Sequence, residues 1–247
     1  LNETNSLSAT NSGTDGVSDE GGFNGNITLG QPGPQPPAFP TFEPDNRAPQ
    51  FDGASAYVDG PFELVNNLPE FTIGGWIYPT AAQASHSGLF GQIDTMEFGF
   101  NTPSTVQIWT PAGSAAATYP FANNTWHYVT AVGGNGQLSL YFDGVLAKST
   151  PISAANFGES AFNFNIGGGG IFGSTGDYFN GRIDEVAVWF RALYTNELTA
   201  LLSTNSEQVN FTTYINTDVF SRMYRSNATA YVRIPFNIVD ANAFDSL

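Results

Sequence analysis

Cysteine is absent from this sequence, so it offers neither a disulfide framework nor a thiolate nucleophile. Basic residues are scarce: 7 Lys and Arg stand against 22 Asp and Glu, giving a formal charge of -15. A field of that sign repels nucleic acid and anionic lipid, so neither is an expected partner. Charged residues make up only 12% of the chain, so the polar surface has to come from Asn, Ser, Thr and Gly. No apolar run approaches the ~18 residues that span a bilayer, and membrane insertion is not expected. Histidine occurs only at His86 and His127, with no short-range ligand or base spacing between them. A Gly-x-Ser-x-Gly elbow and a His-rich zinc motif are both missing. Gly167 to Gly170 lacks the lysine and serine of a phosphate-binding loop and reads as a turn between strands. Together these absences argue against an enzyme.

What is present is length, β-patterning and aromatics. The 247 residues suffice for one full β-sandwich with residues to spare. A chain that starts at Leu1 without methionine reads as part of a longer polypeptide whose targeting signal lies elsewhere. Asn-x-Ser/Thr triplets at Asn2, Asn26, Asn123, Asn210 and Asn227 are glycan acceptors only in a compartment with the machinery.

Residues 1–30 are rich in Gly, Asn, Ser and Thr. Residues 31–49 carry prolines at 32, 34, 36, 37, 40, 44 and 49, an irregular excursion whose Phe39 and Phe42 are expected to pack across a domain surface. From Phe51 onward the pattern is β. Phe71 to Pro79 alternates, and short strands are expected at 88–93, 96–100 and 105–110. Trp126, Tyr128, Thr130 and Val132 share one side of a strand, opposite His127, Val129 and Ala131. Leu138, Leu140 and Phe142 share a face of the next. The runs Gly133-Gly134-Asn135-Gly136 and Asp143-Gly144 supply hairpin turns, giving three consecutive antiparallel strands. Asn180-Gly181-Arg182-Ile183-Asp184-Glu185-Val186 opens the last clear strand. Ile183, Glu185, Ala187 and Trp189 fall on one parity and Asp184, Val186, Val188 and Phe190 on the other. Neither is cleanly polar, so one of the two acids is forced inward. One helix, Asn196 to Leu202 with Thr195 as N-cap, completes the pattern. The fold class is therefore all-β: an antiparallel two-sheet β-sandwich with one short helix. Residues 1–206 form this domain, and 207–247, with an alternating run over 231–238, form a linker and the start of a second β-rich segment that alternatively adds to the edge of the first sheet.

Several motifs, in order and spacing, resemble the laminin-G-like, concanavalin-A-like jelly-roll domains of large secreted or surface proteins of bacteria. They are Phe51-Asp52-Gly53 with Tyr57-Val58, Phe71-Thr72-Ile73 with Trp76, and Asn124-Thr125-Trp126-His127-Tyr128-Val129. Leu140-Tyr141-Phe142-Asp143-Gly144 follows, then Phe179 to Val186 with Arg191-Ala192-Leu193. The resemblance implies a jelly roll, a secreted or cell-surface location, and a binding or adhesion module for carbohydrate. The alternatives are an architectural spacer meeting neighbouring domains or subunits, or an accessory domain of a glycan-active hydrolase or lyase.

Asp184 and Glu185 point to opposite faces of a strand and cannot flank one glycosidic bond. The resemblance implies that the aspartate at Asp184 ties the last strand to the irregular opening segment, sometimes through structural Ca2+. Asp15, in the oxygen-rich run Asn11 to Gly16, would then be a second metal ligand. The other reading is an Asp184 held by hydrogen bonds or an arginine. Candidate ligand-binding residues are Trp109, Tyr119, Phe172 and Tyr178, each at a strand end or in a turn-rich segment. Trp76, Trp126 and Trp189 are assigned to the core.

Overall fold

A computed structural model describes residues 3–4, 6–13 and 20–202 of the chain. The expected second segment, 207–247, and the metal candidate Asp15 lie outside these residues.

Two antiparallel layers face each other. The first is a seven-stranded sheet. Its strands in chain order are β3 (Thr28–Pro32), β4 (Arg47–Asp52), β6 (Phe71–Pro79), β12 (His127–Gly134), β13 (Gln137–Phe142), β14 (Val145–Pro151) and β16 (Asn180–Trp189). Their spatial order is β14-β13-β12-β6-β16-β4-β3. The second layer holds β1 (Ser8–Ala9), β2 (Gly21–Asn24), β5 (Tyr57–Phe62), β15 (Asn163–Ile166) and β8 (Phe90–Gly91), in the order β1-β2-β5-β15-β8. Alongside lies the sheet β11-β10-β9-β7, made of β7 (Ser87–Gly88), β9 (Glu97–Thr102), β10 (Thr105–Thr110) and β11 (Gly113–Thr118). Only Leu89 separates β7 from β8, so one run of chain serves both sheets and makes them a continuous layer.

Alternation decides what lies between the layers. Phe71, Ile73 and Ile77 of β6, Val129 and Ala131 of β12, and Leu138, Leu140 and Phe142 of β13 point inward, as their periodicity predicts. Phe98, Phe100, Val106 and Ile108 meet them from the second layer. The hairpins turn where expected: Asn135 and Gly136 have φ of 52° and 71°, and Asp143 and Gly144 have 47° and 74°, the paired left-handed residues of a two-residue turn.

A second apolar cluster covers the outer face of the first layer. Residues 33–46 of the proline-rich excursion are the β3–β4 connection, folded back so that Phe39 and Phe42 stand edge-on to Trp76 at 5.1 and 5.7 Å. Ala48, Trp126 and Tyr128 complete the cluster. The flanking prolines are strand residues, not part of the excursion. Pro49 has no N–H to give, and opposite it the β3 strand carries its irregularity, at Leu29 and Gly30 between the paired Thr28 and Gln31. At the other end of β4, Asp52 closes the turn to β5. One carboxylate oxygen accepts the N–H groups of Ala54, Ser55 and Ala56 at 2.8–2.9 Å.

The helix α1 (Thr195–Leu202) starts one residue earlier than predicted. Its first turn is closed by Glu197, which accepts the Tyr194 N–H at 2.8 Å and is gripped by both terminal nitrogens of Arg191 at 2.7 and 2.9 Å. Leu198 is the residue it buries.

Candidate functional site

The stretch read as a simple turn, Gly167 to Gly170, begins a loop that lies flat across the outer face of the second layer. Successive residues sit over successive strands. The position a Cβ would take on Gly169 is 2.4 Å from the Tyr57 ring of β5, and on Gly170 it is 2.9 Å from the Asn165 amide of β15. Next, Ile171 covers Gly88 of β7 and Phe172 covers Gly99 of β9, each 2.8 Å from where the strand glycine would carry a Cβ. Side chains are missing on both sides of this contact because backbone and ring need the room. The loop is pinned by Gly169 N–H to Gly176 C=O at 2.8 Å, Gly167 N–H to Leu89 C=O at 2.7 Å and Gly88 N–H to Asp177 C=O at 2.7 Å.

Strand parity then places two of the four expected ligand residues on one surface. Phe98 and Ile108 face the core, so Glu97, Gly99, Gln107 and Trp109 face out. Trp109 is directly opposite Glu97, and Gln107 opposite Gly99, the residue under Phe172. Trp109 and Phe172 are both half-buried. The exposed His86 ring lies against Phe172 at 5.3 Å, tilted by 34°. The result is a surface patch that carries two aromatic rings, the Gln107 amide and the Glu97 carboxylate at adjoining strand positions, and the His86 imidazole against Phe172.

Its electrostatics are negative. Burial raises the Glu97 carboxyl above its ordinary value; the N–H of Asp94 opposes that rise, Asp94 and Asp177 add to it, and His86 counters it. Burial likewise raises Asp177, against the pull of His86 and the Gly173 N–H. Three residues around the patch hold left-handed backbone without being glycine: His86 at φ 63°, Asp94 at 62° and Asp177 at 58°. Such conformations persist where surrounding structure fixes them, and they concentrate at binding surfaces.

The other two expected ligand residues lie elsewhere. Tyr178 pairs with Tyr57 at 6.3 Å beside Gly168 and Gly169, on the far side of the same loop. Tyr119 is buried, its ring packed among Phe100, Phe121 and Phe142.

Asp184 is the acid forced inward, fully buried, while Glu185 is exposed. One Asp184 oxygen accepts the Asn46 side-chain amide at 2.8 Å and the other the Glu185 N–H at 3.0 Å. The same Asn46 nitrogen donates to Pro34 C=O at 3.1 Å. The carboxylate thus ties β16 to the proline-rich excursion. Among the described residues the donors that meet Asp184 are the Asn46 amide and the Glu185 N–H, and the other expected calcium ligand, Asp15, lies outside them. Among the described residues no three acidic or histidine side chains gather to hold a metal.

His127 is half-buried and bonded through both ring nitrogens, to Asp143 at 2.8 Å and to the Thr125 hydroxyl at 3.0 Å, with Phe121 stacked on its face at 3.5 Å. The order Asp, His, Thr imitates a nucleophile's relay. However, the Thr125 hydroxyl donates to Ala122 C=O at 2.6 Å, so its proton is directed away from the imidazole. This is a structural clasp at a strand end.

Sequence reasoning missed Glu97, Gln107 and Asp177. The first two could have been found: they share the parity of Trp109 once the β9–β10 hairpin is registered. Asp177 could not, because its place depends on the path of the glycine loop.

A laminin-G family model, described as the concanavalin A-like lectin/glucanases superfamily, matches residues 52–199. No curated protein matches the sequence. Among solved structures, the binding domain of Paraclostridial Mosquitocidal Protein 1 superposes with a TM-score of 0.54 at 13% identity, over 79% of this chain and 51% of that one. The binding domain of botulinum neurotoxin DC, solved in complex with SialylT, gives 0.50 at 14% identity over 81% and 51%. A Bacteroides ovatus protein assigned to carbohydrate binding gives 0.52 at 19% identity over 62% and 45%. The chain spans about half the length of these structures. At such identities the likeness speaks for the two-layered fold. The family match, covering more than half the chain, identifies it: the protein belongs to the concanavalin A-like lectin/glucanases superfamily, in its laminin-G-like branch.

Proposed function

We propose that this domain is a non-catalytic glycan-binding module of a secreted or cell-surface protein, and that it holds sugar on the patch formed by Trp109, Phe172, Glu97, Gln107 and His86. The observation that carries the reading is the placement of two half-buried aromatic rings, Trp109 and Phe172, on one outer face, with Glu97 and Gln107 at adjoining strand positions. Rigid aromatic faces cover the apolar C–H surface of a pyranose. Amide and carboxylate groups beside them take its hydroxyls. Similarity to a protein named for carbohydrate binding, and to a toxin binding domain solved in complex with SialylT, supports the same class.

Hydrolysis is disfavoured by the electrostatics. A glycosidase pushes the pKa values of two carboxyls apart, one kept protonated as acid and one ionised as nucleophile or base. Here Glu97 and Asp177 are raised together. The acids also select the ligand: with Asp94, Glu97 and Asp177 around the patch, neutral oligosaccharides bind in preference to sialylated ones.

A glycan array carrying neutral and sialylated oligosaccharides, followed by calorimetric titration of the strongest neutral hit, tests this. Trp109→Ala and Phe172→Ala each weaken binding at least tenfold while leaving the circular dichroism spectrum unchanged. Binding that survives both substitutions moves the site elsewhere. An array with no hit returns the domain to an architectural role.

A further inference from the structure

A different flank of the sandwich is open. After Arg182, β16 keeps its β6 neighbour but loses β4, which accompanies it only over Asn180–Arg182. Beside the unaccompanied half lies a cavity of about 450 Å³. One wall is Glu185 to Phe190, consecutive residues of both parities, so it is the edge of the strand, not one of its faces, that borders the cavity. The opposite wall is Ala9 to Gly13, the last residue of β1, the edge strand of the second layer, and the irregular chain that follows it. Val58, Phe164 and Ile166 form an apolar floor. A groove walled on one side by an open strand edge and floored by the core presents the backbone N–H and C=O groups of that edge along its length. Small ligands cannot satisfy such a row; another strand can.

Local structure explains why β4 leaves. At Glu185, φ is 48° and two residues, Glu185 and Val186, oppose the single Gly75 of β6. This β-bulge turns the rest of β16 away from the course of β4, while Asn46, at the start of β4, is held back by Asp184. Val186, Ala187, Val188 and Trp189 remain half-buried and Phe190 is 52% exposed, an apolar edge with no strand upon it among the described residues.

We propose that this groove takes up one extended strand of a second polypeptide, apolar at the residues turned to the floor and basic at those turned to solvent. The floor sets the apolar half of the pattern. The basic half follows from charge: Glu185 is the one charged side chain among the described lining residues, and the chain carries -15 overall. Strand addition of this kind takes its affinity from main-chain pairing and its selectivity from alternate side chains. It is independent of the sugar patch.

The test uses the full chain and a fluorescent, end-capped heptapeptide, Lys-Val-Lys-Val-Lys-Val-Lys, followed by anisotropy. Saturable binding is expected. It weakens at least tenfold when the peptide is N-methylated at alternate residues on its pairing edge, a change that leaves the protein untouched. Glu185→Lys, at an exposed position, weakens it several-fold at low salt, and Val188→Asp abolishes it; Trp109→Ala does not alter it. Equal binding of the N-methylated and the parent peptide overturns the proposal, as does the absence of saturable binding. A self-associated protein whose dissociation exactly tracks peptide uptake would make a second copy the occupant and overturn it as stated.

Discussion

The Asp184 carboxylate accepts the Asn46 side-chain amide at 2.8 Å across 138 positions of sequence, and this one bond joins the last strand to the segment covering the first layer. Its energetics are those of a buried acid. Burial raises the Asp184 pKa from 3.8 to about 6, although the Asn46 and Glu185 donors pull the other way.

The sign of the pH effect follows. A carboxyl whose folded pKa exceeds its unfolded one binds protons more tightly when folded, so its contribution is full below about pH 4 and is lost as pH rises through about 6. A shift of this size corresponds to about 3 kcal/mol. Relative to Asp184→Asn, which cannot titrate, the wild type therefore gains roughly that much stability between pH 8 and pH 4, measured by urea denaturation at each pH. Parallel curves for the two proteins would show that the carboxylate is ionised at no cost. With the Asn46 amide and the Glu185 N–H on its two oxygens, Asp184 is expected to be held by hydrogen bonds, so EDTA followed by calcium leaves the melting temperature unchanged; a rise of several degrees on adding calcium would place the ion at Asp184.

Most of the sandwich was legible from alternation. Spacing separates Val129 and Ala131 from Trp126 and Tyr128, and the two hairpin turns are written in Asn135-Gly136 and Asp143-Gly144, but Trp76 and Trp126, assigned to the core by sequence, lie in the cluster on the outer face of the first layer. Phe39 and Phe42 pack across a sheet as expected. Parity failed in β16, where Ile183, Glu185 and Ala187 were read as one face. The bulge at Glu185 resets the phase, so Val186 and Val188 join Ile183 against the core and Trp189 packs with Leu193 and Leu198 on the outside. A bulge leaves no mark in hydrophobic period. The patch was half legible: its aromatics could be named as strand-end residues, but the path of the loop that brings Phe172 to Gly99 depends on contacts distant in sequence.

Gly99 tests that path. A Cβ there would lie 2.3 Å from the Ser87 carbonyl oxygen and 2.8 Å from the Phe172 ring. The carbonyl belongs to a paired strand and cannot withdraw cheaply, so Gly99→Ala costs about 1–3 kcal/mol in a denaturation experiment. It also expels Phe172 and removes sugar binding, although residue 99 offers the sugar no group of its own. Stability lost with affinity intact would separate Phe172 from the site.

Tyr119 distinguishes core from ligand residues. Its hydroxyl is buried with no hydrogen-bond partner, and burial pushes its ionisation well above the usual tyrosine range. Tyr119→Phe removes an unsatisfied polar group from an aromatic cluster, so the melting temperature holds or rises, by up to about 1 kcal/mol of stability. Tyr119→Ala loses about 3–5 kcal/mol. Sugar affinity is unchanged in Tyr119→Phe. Destabilisation beyond about 1 kcal/mol would reveal a bound water on the hydroxyl.

Glu97 gives the patch its pH dependence. As a carboxylate it accepts sugar hydroxyls; once protonated it loses half that capacity and its charge. Burial, with Asp94 and Asp177 nearby, raises its pKa above 4.5, so on acidification affinity begins to fall before an ordinary glutamate would protonate. Affinity for the neutral hit, followed by calorimetry from pH 8 downward, accordingly shows a step on the alkaline side of 4.5. Glu97→Gln binds more weakly at pH 8 and has a smaller step, the remainder belonging to Asp177, whose carboxyl is raised in the same direction. A Glu97→Gln protein with the wild-type profile would place the titrating contact on Asp177 alone. A flat profile in the wild type would leave the aromatic rings as the whole of the binding surface.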